Sequence, residues 1–243
     1  MPDNKKTTPT PGFLESTKLT PPPDSQKYLI PDQPVSTTET FCLKKSGWKL
    51  AEARIIGLMQ NRRSLRTFAD KPLSLSDLSF LLWTTQGVTA RRGDQFLRTS
   101  PSAGATYPIE TYLLINRVME LKNGIYHFNI RDFSLELIGG NIPKEQVQHT
   151  FLQQKFLLES AVIFIWSGVS ARTTQRYDER GLRYIFLDAG HLCQNLLLGA
   201  EAIGCGGCPV ASFYDDELNT LLGLDGSRES ALYAAAIGKK NMA

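Results

Sequence analysis

No apolar run in this chain approaches the roughly 18 consecutive residues a membrane span needs, and its N-terminus has no apolar signal core. Membrane-embedded and exported classes fall away, and a cytoplasmic protein is expected. Charge of one sign is equally scarce. The 27 Lys+Arg and 24 Asp+Glu leave a formal net charge of +3, which gives no electrostatic basis for nucleic-acid binding. No internal repeat is present. What the chain does have is 243 residues with 42% hydrophobic content, enough for a large core in one large domain or two small ones.

The first forty or so residues differ from the rest. Thr8-Pro9-Thr10-Pro11 and Pro21-Pro22-Pro23 punctuate a polar stretch with little apolar periodicity, which predicts an extended arm over 1–45. Its apolar patch, Tyr28-Leu29-Ile30, is suited to lie against the body of the protein or a partner subunit. A single domain is expected over 46–243. Within it, 49–60 reads as a helix. Ser74, with Asp77 three residues on, caps a second helix carrying Leu75, Leu78, Leu81 and Leu82 and stopped by Gly87. Strands are expected at 111–115, 124–128, 161–168 and 231–237. The continuous apolar run Val162-Ile163-Phe164-Ile165-Trp166 predicts a strand buried on both faces. A long helix spans 182–203 and ends at Gly204. Arg91-Arg92 beside Gly93 reads as a solvated loop. Helices and strands are interspersed without regular βαβ alternation, so the class is α+β.

Asn61-Arg62-Arg63-Ser64-Leu65-Arg66-Thr67-Phe68 places three guanidinium groups and a hydroxyl within five positions at a helix end. Guanidinium forks match phosphate oxygens, and serine adds a short donor where another long side chain would not fit. A second landmark is Pro101-Ser102-Ala103-Gly104-Ala105-Thr106-Tyr107-Pro108, small residues between two prolines whose backbone can closely approach a flat ligand. A third is Gly204-Cys205-Gly206-Gly207-Cys208-Pro209-Val210-Ala211-Ser212-Phe213. The pair Cys205 and Cys208, with His191 and Cys193 upstream, could supply zinc ligands. However, His191 and Cys193 lie two apart on a helix and point about 200° from each other, so buried structural thiols are the better reading and no metal site is assigned.

In this order and spacing, together with Leu81 through Gly87 and Leu187-Asp188-Ala189-Gly190-His191-Leu192, these blocks resemble the flavin-dependent nitroreductase family. The likeness covers about residues 52 to 240 and is similar in detail to the dehydrogenase branch of azoline oxidases from peptide natural-product pathways. The resemblance implies an FMN-binding, intertwined homodimer with a mixed, mainly antiparallel sheet flanked by helices and two sites at the subunit interface. It implies that Arg62, Arg63, Ser64 and Arg66 hold the phosphate and ribityl end, with Lys239 or Lys240 reaching the same phosphate. It further implies that Pro101, Ser102, Ala103 and Gly104 enter from the other subunit. Backbone donors near flavin N5 correspond to Val210, Ala211 and Ser212, and Pro209 just before them is implied to contact the cofactor as well. Ala211-Ser212 stands where many members have Glu-Gly, so a carboxylate role there is lost. Ala105-Thr106-Tyr107 replaces the family's usual asparagine after the serine-rich loop.

The associated base, a Lys-Tyr pair in azoline oxidases, corresponds to Arg176-Tyr177. Arginine stays protonated, so Tyr177 would act as base, with Arg176 the neighbouring positive charge. The chemistry implied is two-electron transfer through FMN. It oxidises a peptide azoline or a small molecule, or reduces nitro or quinone acceptors with NAD(P)H, which such enzymes bind without a G-x-G-x-x-G segment. Space above the flavin is expected to be lined by 90–96 and 151–158. A noncatalytic flavin-binding protein and a zinc-dependent hydrolase or deaminase are the other function classes left open.

Overall fold

The computed structural model describes residues 39–44, 55–93 and 95–241. The expected arm over 1–45 therefore falls largely outside the described residues, as does the 49–54 half of the expected helix, whereas 55–60 is helical. In chain order the strands are β1 (Thr40–Cys42), β2 (Val88–Arg92), β3 (Gln95–Arg98), β4 (Ile109–Ile115), β5 (Gly124–Asn129), β6 (Ser134–Gly139), β7 (Val162–Val169), β8 (Cys205–Val210) and β9 (Glu229–Lys239). The helices are α1 (Ile55–Asn61), α2 (Leu75–Gln86), α3 (Lys144–Thr150), α4 (Phe156–Glu159), α5 (Ala171–Tyr177), α6 (Gly181–Ala202) and α7 (Asp215–Leu222).

Seven strands form one sheet in the order β1-β6-β5-β4-β7-β9-β8, every neighbouring pair antiparallel. Alternation along the central strands divides the interior in two. Phe164 and Trp166 of β7, Leu113 and Ile115 of β4, and Ala235 and Ile237 of β9 face α2 and α6. Their neighbours Ile163, Ile165, Leu114, Ala234 and Ala236 face α3, α4 and α7. A strand sandwiched in this way reads as a near-continuous apolar run, and the buried Ser167 of β7 is hydrogen-bonded to Glu229. Each fully buried Ile or Phe on it contributes about 1.5–3 kcal/mol of burial. The α+β class, with a mainly antiparallel sheet between helical layers, is what the sequence implies.

Local signals explain the element ends. Asp77 N donates to Ser74 Oγ at 3.0 Å and Ser74 N to Asp77 Oδ2 at 3.2 Å, a complete capping box. Three assignments change. Residues 40–42, placed in the arm, form the edge strand β1, because Phe41 packs on Tyr126 with ring centroids 5.8 Å apart and Leu43 is buried. Arg91 and Arg92, read as a loop, lie in the exposed two-stranded hairpin β2–β3, where Arg91 covers the Phe96 ring at 4.5 Å. The glycine-rich stretch 205–208, to which the sequence assigned no strand, belongs to β8.

Candidate functional site

β8 can be a strand because its glycines allow another segment to lie against it. A Cβ at Gly206 would sit 2.7 Å from Leu65 Cδ2, and one at Gly207 would sit 2.6 Å from the Ala236 carbonyl oxygen. Without those side chains the arginine segment docks on the free edge of β8. Ser64 bridges Gly207 in parallel, and Leu65 N donates to Gly207 O at 2.9 Å. Phe68 anchors the far end, buried beside Gly238. Between these anchors Arg63, Ser64 and Arg66 remain exposed and Arg62 half-buried. Arg63 Nη1 donates only to main-chain oxygens, Gln60 O at 2.9 Å and Arg62 O at 2.8 Å. Among the described residues none of the three guanidinium groups has a carboxylate partner, so their charge is available to an anion.

The lysines differ. Lys239 Nζ sits 3.0 Å from Asp77 Oδ2 and Lys240 Nζ 2.5 Å from Glu201 Oε1, so each ammonium already has a counter-charge. Both lie on the β9 end that the arginine segment crosses, where Ala69 N donates to Lys239 O at 2.9 Å.

From Gly207, β8 runs through half-buried Pro209 and buried Val210 to exposed Ala211 and Ser212. The rise from Gly207 to Ala211 is about 13 Å at a strand's 3.3 Å per residue. Two residues from the 151–158 stretch bridge this span. Gln154 Nε2 donates to Ser212 O at 2.9 Å, and Arg66 stacks its guanidinium carbon 5.9 Å from the Phe156 ring centroid. The structure thus brings 62–66, 154–156 and 209–212 into one groove. Gln154 and Phe156 lay within a segment the sequence marked as lining, although nothing in their residue types singled them out.

The second cluster forms around 101–104. Ser102 Oγ donates to Asp188 Oδ2 at 2.5 Å while accepting from Tyr107 N at 2.9 Å, and Ala103 N lies 3.4 Å from Asp188 Oδ1. Asp188 is 4% exposed. Burial pushes its carboxyl above the usual aspartate range against the pull of the Ser102 hydroxyl and the Ala103 N–H. Asn195 Nδ2 donates to Ser100 Oγ at 2.9 Å, and Arg176 Nη1 to Gly104 O at 3.1 Å. Gly104 takes φ +59°, and a Cβ there would meet Tyr177 Oη at 2.4 Å. Tyr177 is packed edge-on to Tyr184, centroids 5.0 Å apart. The expected catalytic pair and the expected loop therefore form one unit on α5 and α6. Within the chain this unit and the Gly207 end of the groove lie beside different stretches of α6. Asp188 marks the loop's place on α6, and Leu197, which would contact a Gly207 side chain at 3.3 Å, marks that of the groove. Nine residues of helix separate them, about 14 Å.

Cys193, Cys205 and Cys208 are buried, whereas Cys42 on β1 is exposed. Burial pushes Cys193 up to about 12 and Cys205 up to about 11, the latter despite the Lys239 charge nearby. His191 is exposed where Cys193 is buried. Cys205 and Cys208, three apart on a strand, point to opposite faces. Among the described residues no group of three or more His, Cys, Asp or Glu is placed to hold a metal, and none of the described helices is long and apolar enough to cross a membrane.

Residues 59–239 match the family described as the Nitroreductase family. MJ1384 of Methanocaldococcus jannaschii, a protein assigned to the nitroreductases, is 32% identical over 191 residues, 79% of this chain and 93% of its own length. The trifolitoxin-processing protein TfxB of Rhizobium leguminosarum bv. trifolii is 27% identical over 60% of this chain, which spans only 40% of TfxB. The E. coli microcin synthetase McbBCD complex with truncated pro-MccB17 bound shares the fold. Its TM-score is 0.62 at 20% identity, over 96% of this chain and 87% of that one. A Desulfovibrio desulfuricans protein assigned to the nitroreductases and solved in complex with FMN shares it at TM-score 0.56 and 17% identity, over 79% and 89% of the two chains. The family match runs through the groove, the loop and the helix that carries it, and the chain belongs to the nitroreductase family of FMN-dependent oxidoreductases.

Proposed function

We propose that this chain binds FMN along the groove of 62–66 and 209–212 and transfers two electrons between that cofactor and a peptide azoline. The observation that carries the reading is the set of three guanidinium groups and the Ser64 hydroxyl, held on the β8 edge without carboxylate partners among the described residues. Such a donor set fits a terminal phosphate. Arg62, Arg63, Ser64 and Arg66 hold the phosphate, and the paired Lys239 and Lys240 add background positive charge behind them. Val210, Ala211 and Ser212 present the backbone to the ring. FMN, when bound, supplies the two-electron chemistry.

As its phenolate, Tyr177 would accept at Oη the proton leaving the substrate, while the hydride passes to the cofactor. Arg176, tied to Gly104 O, keeps that oxygen against residues 101–104 and stays cationic throughout. Because the loop and its own groove lie beside different stretches of α6, we assign the loop to a second copy's site in a homodimer. The azoline substrate is supported by the likeness to TfxB. The likeness to MJ1384 over nearly its full length favours a second reading, reduction of nitro or quinone acceptors with NAD(P)H. Incubation of the holoprotein with an azoline-bearing peptide and oxygen, followed by mass spectrometry, separates the two. A loss of two hydrogens per ring supports oxidation. Consumption of NAD(P)H with menadione and no change in the peptide supports reduction.

The cofactor assignment has its own test. Loss of one charge-assisted contact of roughly 1.5–3 kcal/mol should weaken FMN binding by about ten- to a hundredfold in Arg66→Ala. Arg91→Ala, on the β2–β3 hairpin, should leave it unchanged. Calorimetric titration of the apo-proteins with FMN decides this: equal affinity for Arg66→Ala and the parent defeats the cradle. Acid-released FAD instead of FMN defeats the cofactor.

A further inference from the structure

A cavity of about 390 Å3 opens between the β2–β3 hairpin, β5 and α5. It shares no residue with 62–66, 101–104 or 209–212. Its volume falls in the range of small-molecule sites. Among the described residues three guanidinium groups line it, those of Arg98, Arg131 and Arg172, against one carboxylate, Glu110.

That carboxylate is already satisfied. Arg172 Nη1 reaches Glu110 Oε1 at 2.5 Å, and His127 Nε2 lies 3.2 Å from Oε2. Arg172 is thereby committed, and Arg98 and Arg131 are left as surplus positive charge. Arg98 is the unusual one. Its Nη1 donates to Gln86 Oε1, and its guanidinium carbon lies 4.4 Å over the Tyr107 ring. Its Nε is buried with no hydrogen-bond partner among the described residues. Burial lowers this guanidinium to about 10, against the opposing charge of Glu110. Arg98 as a whole is half-buried, and a cation partly removed from water with an unused donor is costly unless an anion meets it. Phe96 and Ile130 add apolar wall to the same space.

We propose that this cavity binds a small organic monocarboxylate, its carboxylate on Arg98 and Arg131 and its apolar body against Phe96, Tyr107 and Ile130. A planar carboxylate suits a guanidinium fork, and the apolar wall distinguishes an organic acid from a bare inorganic anion. The site adjoins the loop described above. Arg172 Nη1 also donates to Tyr107 O at 3.3 Å, one helical turn before Arg176 holds Gly104 O. The bound acid therefore rests against a segment that α5 grips at both ends. The proposal does not rest on the flavin reading.

The test is calorimetric titration of the full-length protein, as purified, with benzoate, its neutral counterpart benzyl alcohol, and inorganic phosphate, while the near-ultraviolet and visible absorbance is followed. Saturable benzoate binding is expected, with benzyl alcohol and phosphate each at least about tenfold weaker. Arg98→Met and Arg131→Met should each weaken benzoate by about tenfold or more, the loss of one charge-assisted contact. Arg91→Ala, outside the cavity wall, should not. Arg131 is exposed, so its variant carries the test if Arg98→Met fails to fold. No saturable benzoate binding, undiminished binding in Arg131→Met, phosphate binding as tight as benzoate, or competition between benzoate and FMN would each overturn the assignment.

Discussion

At Gly104 a side chain is excluded twice, once by the backbone and once by a neighbour. The φ of +59° lies in the left-handed region, which costs an alanine about 1–2 kcal/mol, and the new methyl would fall 2.4 Å from Tyr177 Oη. Gly104→Ala is therefore expected to lose at least that much stability in urea unfolding and to displace Tyr177. Unchanged unfolding with unchanged turnover would show that the contact is not needed. Asp188 presents the complementary case, a side chain that must be present. Removing its carboxylate strands the Ser102 hydroxyl and the Ala103 N–H, at about 1–3 kcal/mol. Asparagine keeps an acceptor oxygen and should recover most of that loss. Equal destabilisation of Asp188→Ala and Asp188→Asn in denaturant titrations would remove the hydrogen bonds from the account.

At the scale of elements, three strands meet at His127. On β5 it lies 3.2 Å from Glu110 of β4 and 3.6 Å from Glu136 of β6, with Arg172 of α5 across Glu110, Arg131 lining the same cavity, and the Tyr112 ring 5.0 Å away. Burial opposes its protonation, but the Glu110 hydrogen bond and the two carboxylate charges outweigh burial and raise its pKa above the ordinary value. A raised histidine contributes stability that is full below about pH 6.5, the unfolded value, and lost as pH rises through the higher folded one. The stability gap between the parent and His127→Gln should therefore narrow as pH rises from about 6.5 through the higher folded value in urea titrations. A gap independent of pH would rule out the charge.

The same elements show what the sequence could reveal. The Ser74 capping box and the apolar run at 162–166 act through neighbouring positions, so their effect is local and legible. β8 was not legible, because Gly206 and Gly207 suit a turn as readily as a strand. The docked Leu65 and the packed Ile237 decide between them, and both contacts come from far along the chain. Site residues divide the same way. Arg62, Arg63, Ser64 and Arg66 declare themselves by clustering. The grip of Asp188 on Ser102 and of Gln154 on Ser212 spans more than fifty residues, and no spacing rule shows it.

For the whole molecule the issue is what completes the groove. A protomer carries the loop and its own groove at opposite stretches of α6, about 14 Å apart by helix rise. On the reading proposed above, a second copy supplies the loop to each groove. Exposed apolar side chains offer such a copy a place to dock. Ile55, Ile56 and Met59 of α1 are 56%, 68% and 59% exposed, and Leu187 of α6 is 59% exposed, with α1 packed against α6. Large apolar side chains in such numbers on adjoining helices mark an association surface, and an obligate dimer of this kind buries about 2,000 Å2 or more, mainly apolar. Ile56→Glu with Leu187→Glu would bury two carboxylates there, each costing several kcal/mol, and is expected to yield monomer in light scattering. Flavin should be lost with the dimer, since each site would then lack residues 101–104 of its neighbour, and excess FMN should restore dimer by mass action. A parent protein that is monomeric in light scattering while holding flavin at full occupancy would overturn the shared site, and a monomeric double variant that keeps its flavin would show that the loop serves its own protomer.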